Sequence, residues 1–477
     1  MSALEVALNF AYEMKKRFSG KMCCVIGFGR SNVPLVDMLV SAGARVRVCD
    51  KKDICDPRLS DLGVEFCTGD NYLDGVLGDY IFRSPGVRYY LPEIRRAVQC
   101  GATLTSEMEL FFELCPAKII GITGSDGKTT STTLTHLFLQ KQSEKKGSGR
   151  AYVGGNIGAP LLPLVSEMTE NDVAVVELSS FQLQTMTRSP ERALITNISP
   201  NHLDWHTDYR EYIDAKCHIC NNGAQMLVTN AENEETRKIA DSLQIPVTYF
   251  SSVKHSYAEI VPAGKKNCAA IYEDCGTIYF DDGEQREPVI NTADILLPGR
   301  HNVENYMSAI GLTRGLVCRE VIEDVAKTFK GVAHRLEHVR TLRGVTYYNS
   351  SIDSSPSRTT AALSALDKKP IIICGGAEKG ISFDSLGPVL CQKTKAVILT
   401  GATAQKIYDV IVNCPDYDAH KLPVTVVEDF RDAVILAANT AKEGDIVLLS
   451  PACTSFDRFR DFEHRGNYFK EIVNELE

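Results

Sequence analysis

Three successive α/β parts, each a mainly parallel sheet with crossover helices, are what this sequence predicts. Three observations carry that reading. Short apolar runs of strand type alternate with helical periodicity along the whole chain, the pattern of parallel sheets. Two of those runs open into glycine turns, at "KMCCVIGFGRSN" and "AKIIGITGSDGKTT". The length, 477 residues, suits roughly three domains of about 150 residues each.

Taken in order, the first block begins with an amphipathic helix, "MSALEVALNFAYEMKKRFSGK", whose Glu5 and Glu13 interrupt any signal-peptide core. Strands follow at "CCVIG", "ARVRVCDK", "VEFCTG" and "YIFRSPG", and the block ends near Thr105. The second block opens with "AKIIGIT" and continues through "DVAVVELSSFQL", "RALITNIS" and "AQMLVTN". In "CAAIYEDCGTIYFDDG" apolar and polar residues alternate around "EDCG", which predicts a hairpin. The run "QKQSEKKGSGR" (140–150) predicts a solvated loop. The third block runs through "GVTYYNSS", "KPIIICGG", "KAVILTG", "PVTVVED" and "DIVLLSPA".

Composition bounds the function. Apolar residues at 44% and charged residues at 24% are ordinary for packed globular domains. A net charge of -9 argues against a nucleic-acid binder, although glycine loops and a few lysines can still hold an anion. No run reaches the roughly 18 apolar residues of a membrane span. Sixteen cysteines without a secretory leader predict reduced thiols in a cytoplasm. Cys217 and Cys220 form one C-x-x-C with no second pair to complete a zinc site, so they read as packing thiols on a helix.

Gly124, Ser125, Asp126, Gly127, Lys128, Thr129 and Thr130 form a phosphate loop with unusual glycine spacing. The common pattern wants a glycine five residues before Gly127, where Ile122 stands. Strand, glycine turn and helix are nevertheless in order, so backbone N–H groups and a helix N-terminus face an anion. Lys128 can reach terminal phosphates and the Thr129 hydroxyl can meet Mg²⁺. Glu177 ends an apolar strand, where it reads either as a metal ligand or as an exposed carboxylate. His202 and Asp204 follow another strand end; His202 reads as structural or as a ligand. The next helix starts at a capping box of Asp208 and Glu211, and its Lys216 taken alone is a solvated charge. In the first block "GFGRSN" with Asp50 imitates a dinucleotide fingerprint, but Asn32 replaces its third glycine. That points to a diphosphate more than to NAD, and an oxidoreductase leaves "GKTT" unexplained. A nucleotide-binding regulator without catalysis leaves Glu177, His202 and Lys216 unexplained.

Together with "GGNIG" (154–158), "ELSSFQL", "NISPNHLDWH", "DAK" (214–216), "GRHNVEN", "HRLE" and the closing "LLSPACTSFDRFRDFEHRGNYF", these motifs resemble the ATP-dependent Mur ligases of bacterial cell-wall synthesis. The resemblance runs through the whole chain, and its closing block is similar to the D-glutamate-adding branch. It implies a Rossmann-like UDP-substrate domain (1–106), a central P-loop ATPase domain (107–331) and a Rossmann-like glutamate domain (332–477). It implies that ATP activates the carboxylate of UDP-N-acetylmuramoyl-L-alanine as an acyl phosphate, which the amine of D-glutamate attacks. L-Glutamate, or folylpolyglutamate-type addition, is the alternative. Two Mg²⁺ ions are implied, one on Thr129 and Glu177, the other on His202 and a carbamate of Lys216, since a bare ammonium cannot ligate a cation. Asn156 is implied near the acyl phosphate, Asn302 and Asn305 at the adenine, and Arg335 at phosphate. Gly29, Arg30, Ser31, Asp50, Lys51, Ser84, Pro85 and Gly86 are implied at the UDP group, and Ser354, Lys379, Ser455 and Phe462 at glutamate. A monomer in a bacterial cytoplasm is expected, with no nucleic-acid partner and no membrane insertion. One departure stands out. Ser350 and Ile352 occupy positions where many members carry aspartate and lysine, and Asp353 adds a negative charge nearby. Lys379 or another group is expected to compensate, or the amino acid is held differently.

Overall fold

The computed structural model describes residues 3–202, 205–297, 299–378 and 381–477. They divide into two compact units, 1–296 with 300–328, and 297–299 with 329–477. The first unit holds two sheets and the second holds one, so mixed α/β architecture with parallel pairing runs throughout.

The first sheet is all parallel, and its strands are Met22–Ile26, Arg45–Asp50, Glu65–Thr68, Tyr80–Arg83 and Thr103–Thr105. Their spatial order is third, second, first, fourth, fifth. Winding therefore reverses between the first and fourth strands, and a crevice opens there at the strands' carboxyl ends. The central strands are buried on both faces, which explains their continuous apolar spelling: Cys23, Val25, Val48 and Phe82 are all fully buried. The expected N-terminal helix spans Ala3–Phe18 and turns Val6, Met14 and Phe18 inward.

The second sheet has nine strands. Third from one edge, Lys118–Thr123 lies between Val173–Glu177 and Arg192–Ile195, parallel to both. The predicted hairpin closes one side: Cys268–Asp274 pairs antiparallel with Thr277–Asp281 through Cys275 and Gly276. Both turn residues have positive φ, 49° and 80°, as a two-residue type I′ turn requires. The 140–150 stretch differs from expectation, because the helix after the glycine loop runs from Lys128 to Lys146. Its polar residues form an exposed helical face, and Gly147 at φ 68° ends it. A polar run carries a regular helical backbone here behind a loop-like composition, because its apolar face is narrow. The helix Arg300–Thr313 packs beside it, with the Ser131 and Ser308 hydroxyls 2.9 Å apart.

The third sheet orders Glu337–Leu342, Val345–Asn349, Ile446–Leu449, Ile371–Cys374, Ala396–Leu399 and Val424–Val426. Only its first strand is antiparallel.

Within the first unit a buried guanidinium joins the two sheets. Arg83 is 1% exposed. It donates to the carbonyls of Val87 (2.6 Å) and Pro85 (3.2 Å) on its own side, and to Phe181 O (2.8 Å) and Thr185 Oγ1 (3.2 Å) beyond the second sheet's strand end. Burial pulls its pKa down to about 10, which still leaves it charged at neutral pH. Replacing it by Met would strand several buried acceptors at about 1–3 kcal/mol each. Arg83→Met is therefore expected to lower the unfolding free energy of this unit by roughly 2–4 kcal/mol, measured by urea titration.

Candidate active site

The turn 124–127 joins the strand Lys118–Thr123 to the helix Lys128–Lys146. Gly124 (φ 146°) and Gly127 (φ 78°) both adopt backbone that favours glycine. A Cβ on Gly124 would collide with Thr196 Oγ1, and one on Gly127 would come within 2.6 Å of Asn305 Oδ1. The odd spacing is thus fitted to its surroundings. The loop is pinned from behind: Ser125 N donates to Asn197 O (2.8 Å), Asp126 N to Asn197 Oδ1 (3.0 Å), and Ser125 Oγ meets Tyr212 OH at 2.8 Å. Lys128 opens the helix, and Thr129 and Thr130 lie in its first turn, whose N–H groups have no intrahelical acceptors. Lys128 Nζ folds onto the carbonyls of Gly124 (2.9 Å) and Ser125 (2.8 Å). Asn305 is buried beside Ser131 and donates to Asn302 at 3.2 Å.

Lys216 is not a solvated charge. It is 1% exposed, and its amine donates to Gly124 O (2.8 Å) and Thr123 Oγ1 (3.3 Å), beneath the same loop as Lys128. Burial first, and the charge of Lys128 second, hold its pKa well below the ordinary lysine value. The helix carrying it, Tyr209–Asn221, is capped by Asp208, whose carboxylate accepts from Glu211 N at 2.8 Å. Glu211 does not return the bond to Asp208; it accepts from Thr207 N at 2.6 Å, so the box is displaced by one residue.

Glu177 is also buried, at 1% exposure, so the reading as an exposed carboxylate falls. Its Oε1 accepts from Asn156 Nδ2 at 2.8 Å, while its Oε2 has no hydrogen-bond partner. Asn156 N donates to Glu177 O at 2.8 Å, which locks the two together. His202 has φ 55° and sets its ring edge-on to Phe181, 5.0 Å between centroids. Asp204 lies outside the described residues. The sequence reading missed His206, which is buried against Phe181 with Nε2 3.0 Å from Ser180 Oγ. Its pKa is lowered, by burial above all. Its spacing of four from His202 was the available signal.

In the first sheet, Asp50 Oδ2 accepts from Phe28 N at 2.6 Å and its Oδ1 from Lys52 N at 2.8 Å. Asn32, in place of the third fingerprint glycine, donates to Gly27 O at 2.7 Å. A Cβ on Gly27 would meet Ser84 at 2.7 Å, and Ser84 N donates to Ile26 O at 2.9 Å. The turn after the first strand is thus bonded to Asp50 and packed against Ser84 at the carboxyl ends of neighbouring strands.

In the second unit, Arg465 gathers the strand-end loops. Its guanidinium, 2% exposed, donates to Ser351 O (2.9 Å), Ser351 Oγ (3.0 Å), Thr454 O (3.0 Å) and Cys453 O (3.2 Å). Ser351 Oγ donates to Phe462 O at 2.8 Å. Ser351 thus ties the loop that carries Ser354 to Phe462, the first residue of the helix Phe462–Glu475, and Arg465 ties it to the loop that carries the buried Ser455. Lys379 lies outside the described residues. Nothing in the local pattern of "EHRGNYF" separates Arg465 from an ordinary helical arginine. Asp353, expected as an added charge, is buried; it accepts from Ser450 Oγ at 2.8 Å, and burial pushes its pKa up to about 6.

A glycine loop at a strand-to-helix turn, two lysines under it and a buried strand-end carboxylate define a nucleotide-dependent α/β enzyme. Known proteins narrow this. A family model described as the Mur ligase middle domain matches residues 122–313, and one described as the Mur ligase glutamate ligase domain matches residues 334–453. A protein of Acetivibrio thermocellus named UDP-N-acetylmuramoylalanine–D-glutamate ligase is 42% identical over 475 residues, 98% of each chain. One of the same name from Clostridium beijerinckii is 44% identical over 474 residues, 97% of this chain and 99% of that one. The fold is similar to the solved structures of MurF from Acinetobacter baumannii (TM-score 0.56, 14% identity, 97% and 92% covered) and MurC from Thermotoga maritima (0.55, 18%, 95% and 99%). The chain belongs to the Mur ligase family, whose members are ATP-dependent, amide-forming ligases.

The burial of Asp353 gives a pH dependence. Its carboxyl stays neutral to a higher pH in the folded chain (about 6) than an ordinary aspartate does (3.8). The stabilising contribution is therefore full below about 4 and lost as pH rises through about 6. Between pH 4 and 7.5 wild type is expected to lose about 2–3 kcal/mol relative to Asp353→Asn, measured by denaturant titration across that range.

Proposed function

We infer that this chain joins D-glutamate to UDP-N-acetylmuramoyl-L-alanine at the expense of ATP, in the synthesis of peptidoglycan precursors. The end-to-end match to relatives named for D-glutamate carries the reading. L-Glutamate or folylpolyglutamate addition is not favoured by it. In the reaction a carboxylate oxygen attacks the γ-phosphorus and ADP leaves. The glutamate amine then attacks the acyl carbon, phosphate leaves, and the amine gives up a proton. A carboxylate is otherwise a poor acyl donor, because its leaving group is oxide. What remains is positioning and charge neutralisation between anions.

Each residue's role is a proposal. The turn Gly124–Gly127 and the N–H groups of Lys128, Thr129 and Thr130 cradle phosphate, with Lys128 unfolding from the loop carbonyls to the β/γ-phosphates. Asn302 and Asn305 hold the adenine end, and Arg335 steadies phosphate. Asn156 faces the acyl group from its bond to Glu177. Gly29, Arg30, Ser31, Asp50, Lys51, Ser84, Pro85 and Gly86 hold the UDP group. Ser354, Lys379, Ser455 and Phe462 hold glutamate, where hydroxyls and a lysine suit a dicarboxylate. The division into domains 1–106, 107–331 and 332–477, the Rossmann-like character of the outer two, a monomeric state and a bacterial cytoplasmic location belong to the same reading. Among the described residues no helix is long and apolar enough to cross a membrane.

The donors fit magnesium. Among the described residues no three His, Cys, Asp or Glu side chains form a cage. Mg²⁺ usually takes one or two carboxylates and completes its shell with phosphate and water, so a cage is not needed. The buried, unpartnered Oε2 of Glu177 is such a carboxylate oxygen, with Thr129 as its companion. His202 and a carbamate on Lys216 would hold the second ion. Desolvation lowers the Lys216 pKa and so raises the share of neutral amine, the form that adds carbon dioxide. Bound Mg²⁺ supplies charge neutralisation for phosphoryl transfer.

Phosphate release from ATP and Mg²⁺ with UDP-N-acetylmuramoyl-L-alanine is expected to depend on D-glutamate. Release only with L-glutamate would move the specificity, and release with neither would sink the reading. Lys216→Ala is expected to lose at least about 100-fold in turnover and to recover part of it with added short carboxylic acids. Absence of recovery across a series of such acids would remove the carbamate and leave the ligase assignment intact.

A further inference from the structure

The turn 334–337, which carries Arg335, is held in an uncommon shape. His334 (φ 63°) and Leu336 (φ 43°) are both non-glycine residues in left-handed backbone. Such a turn persists only where its surroundings over-determine it. His334 N donates to Glu337 Oε2 at 2.8 Å, and Ile352 N donates to His334 O at 3.1 Å. The remaining restraint comes from the segment that departs from the family pattern. Leu336 N donates to Ser350 Oγ at 3.1 Å. Ser350 and Asp353 close one tight turn, Asp353 N donating to Ser350 O at 3.0 Å, and the Asp353 carboxylate takes Ser450 Oγ–H at 2.8 Å. Ser350 and Asp353 are 1% and 6% exposed, and the positive charges of Arg335 and Arg358 act on the carboxylate against the effect of its burial.

We propose that Asp353 is a positioning residue for Arg335. Ser350 and Asp353 act as one acceptor split over two side chains: the hydroxyl receives the Leu336 amide, and the carboxylate orients that hydroxyl and acts on the guanidinium. A carboxylate at 350 could do both alone. The negative charge at 353 therefore stands in for the one that the resemblance places at 350, rather than opposing glutamate. The proposal rests on the reading of Arg335 as a phosphate contact in the ligase reaction.

The test is a relocation of the charge in the full-length chain. Asp353→Ala, Asp353→Asn, Ser350→Asp and the double variant S350D/D353A would be compared with wild type in kcat, in KM for ATP and for D-glutamate, and in hydrogen exchange at the Leu336 amide. Loss of one charge-assisted bond predicts about a tenfold fall in kcat/KM for ATP in Asp353→Ala and Asp353→Asn. Leu336 exchange should quicken in both, with KM for D-glutamate unchanged. Ser350→Asp alone brings two carboxylates together and should be impaired as well. The double variant should return to within about threefold of wild type, the non-additivity that marks a shared role. Asp353→Asn preserves size and the bond from Ser450, so it reports on charge where Asp353→Ala fails to fold. Wild-type kinetics in Asp353→Asn, or a folded double variant no better than Asp353→Ala, would overturn the proposal. Faster exchange with unchanged turnover would overturn it too, leaving a structural role only. An inactive wild type would count against the ligase reading instead, and unaltered Leu336 exchange in the variants would then still overturn the split acceptor.

Discussion

Buried basic side chains that donate chiefly to backbone carbonyls are the constraint on which the rest of this structure turns. Gly124 O accepts from both Lys128 and Lys216, two amines on one carbonyl. Neither could be placed there in a loop of ordinary backbone. The positive-φ glycines let the carbonyl point inward while the helix behind them points its amides outward. The cost of crowding falls on the deeper amine, which gives up its proton readily. The two amines thus share an acceptor while differing in burial, although the same amino acid supplies both.

How much of this was legible depended on whether the determinant was local. The glycine loop could be read because strand, turn and helix are consecutive and each has its own period. Glu177 could be placed at a strand end by counting apolar residues, but its burial could not, because that depends on Asn156 and the loop between Leu178 and Phe181. Lys216 was opaque for the same reason. A lysine in a helix of mixed composition is spelled alike whether it faces solvent or the underside of a phosphate loop. The polar face of residues 140–146 hid a helix behind a loop-like composition.

The longest-range determinants were the least visible. Arg83 and Arg465 each satisfy four or more acceptors, and those acceptors are mostly backbone carbonyls, which carry no signature in the sequence. Asp353 was read by the sign of its charge. Its surroundings of hydroxyls and arginines give that charge a different meaning from the one it has in isolation.

Arg83 also bears on how such chains can be recombined. Its acceptors lie on the loop after its own strand and on the short helix Ser180–Leu183 with the residue pair beyond it, two segments about a hundred positions apart. A chimera that took its opening residues from one relative and the remainder from another would place an arginine opposite carbonyls shaped for a different side chain, or leave those carbonyls facing nothing. The crossover point most convenient on paper, between the first two sheets, cuts through a joint whose halves must match.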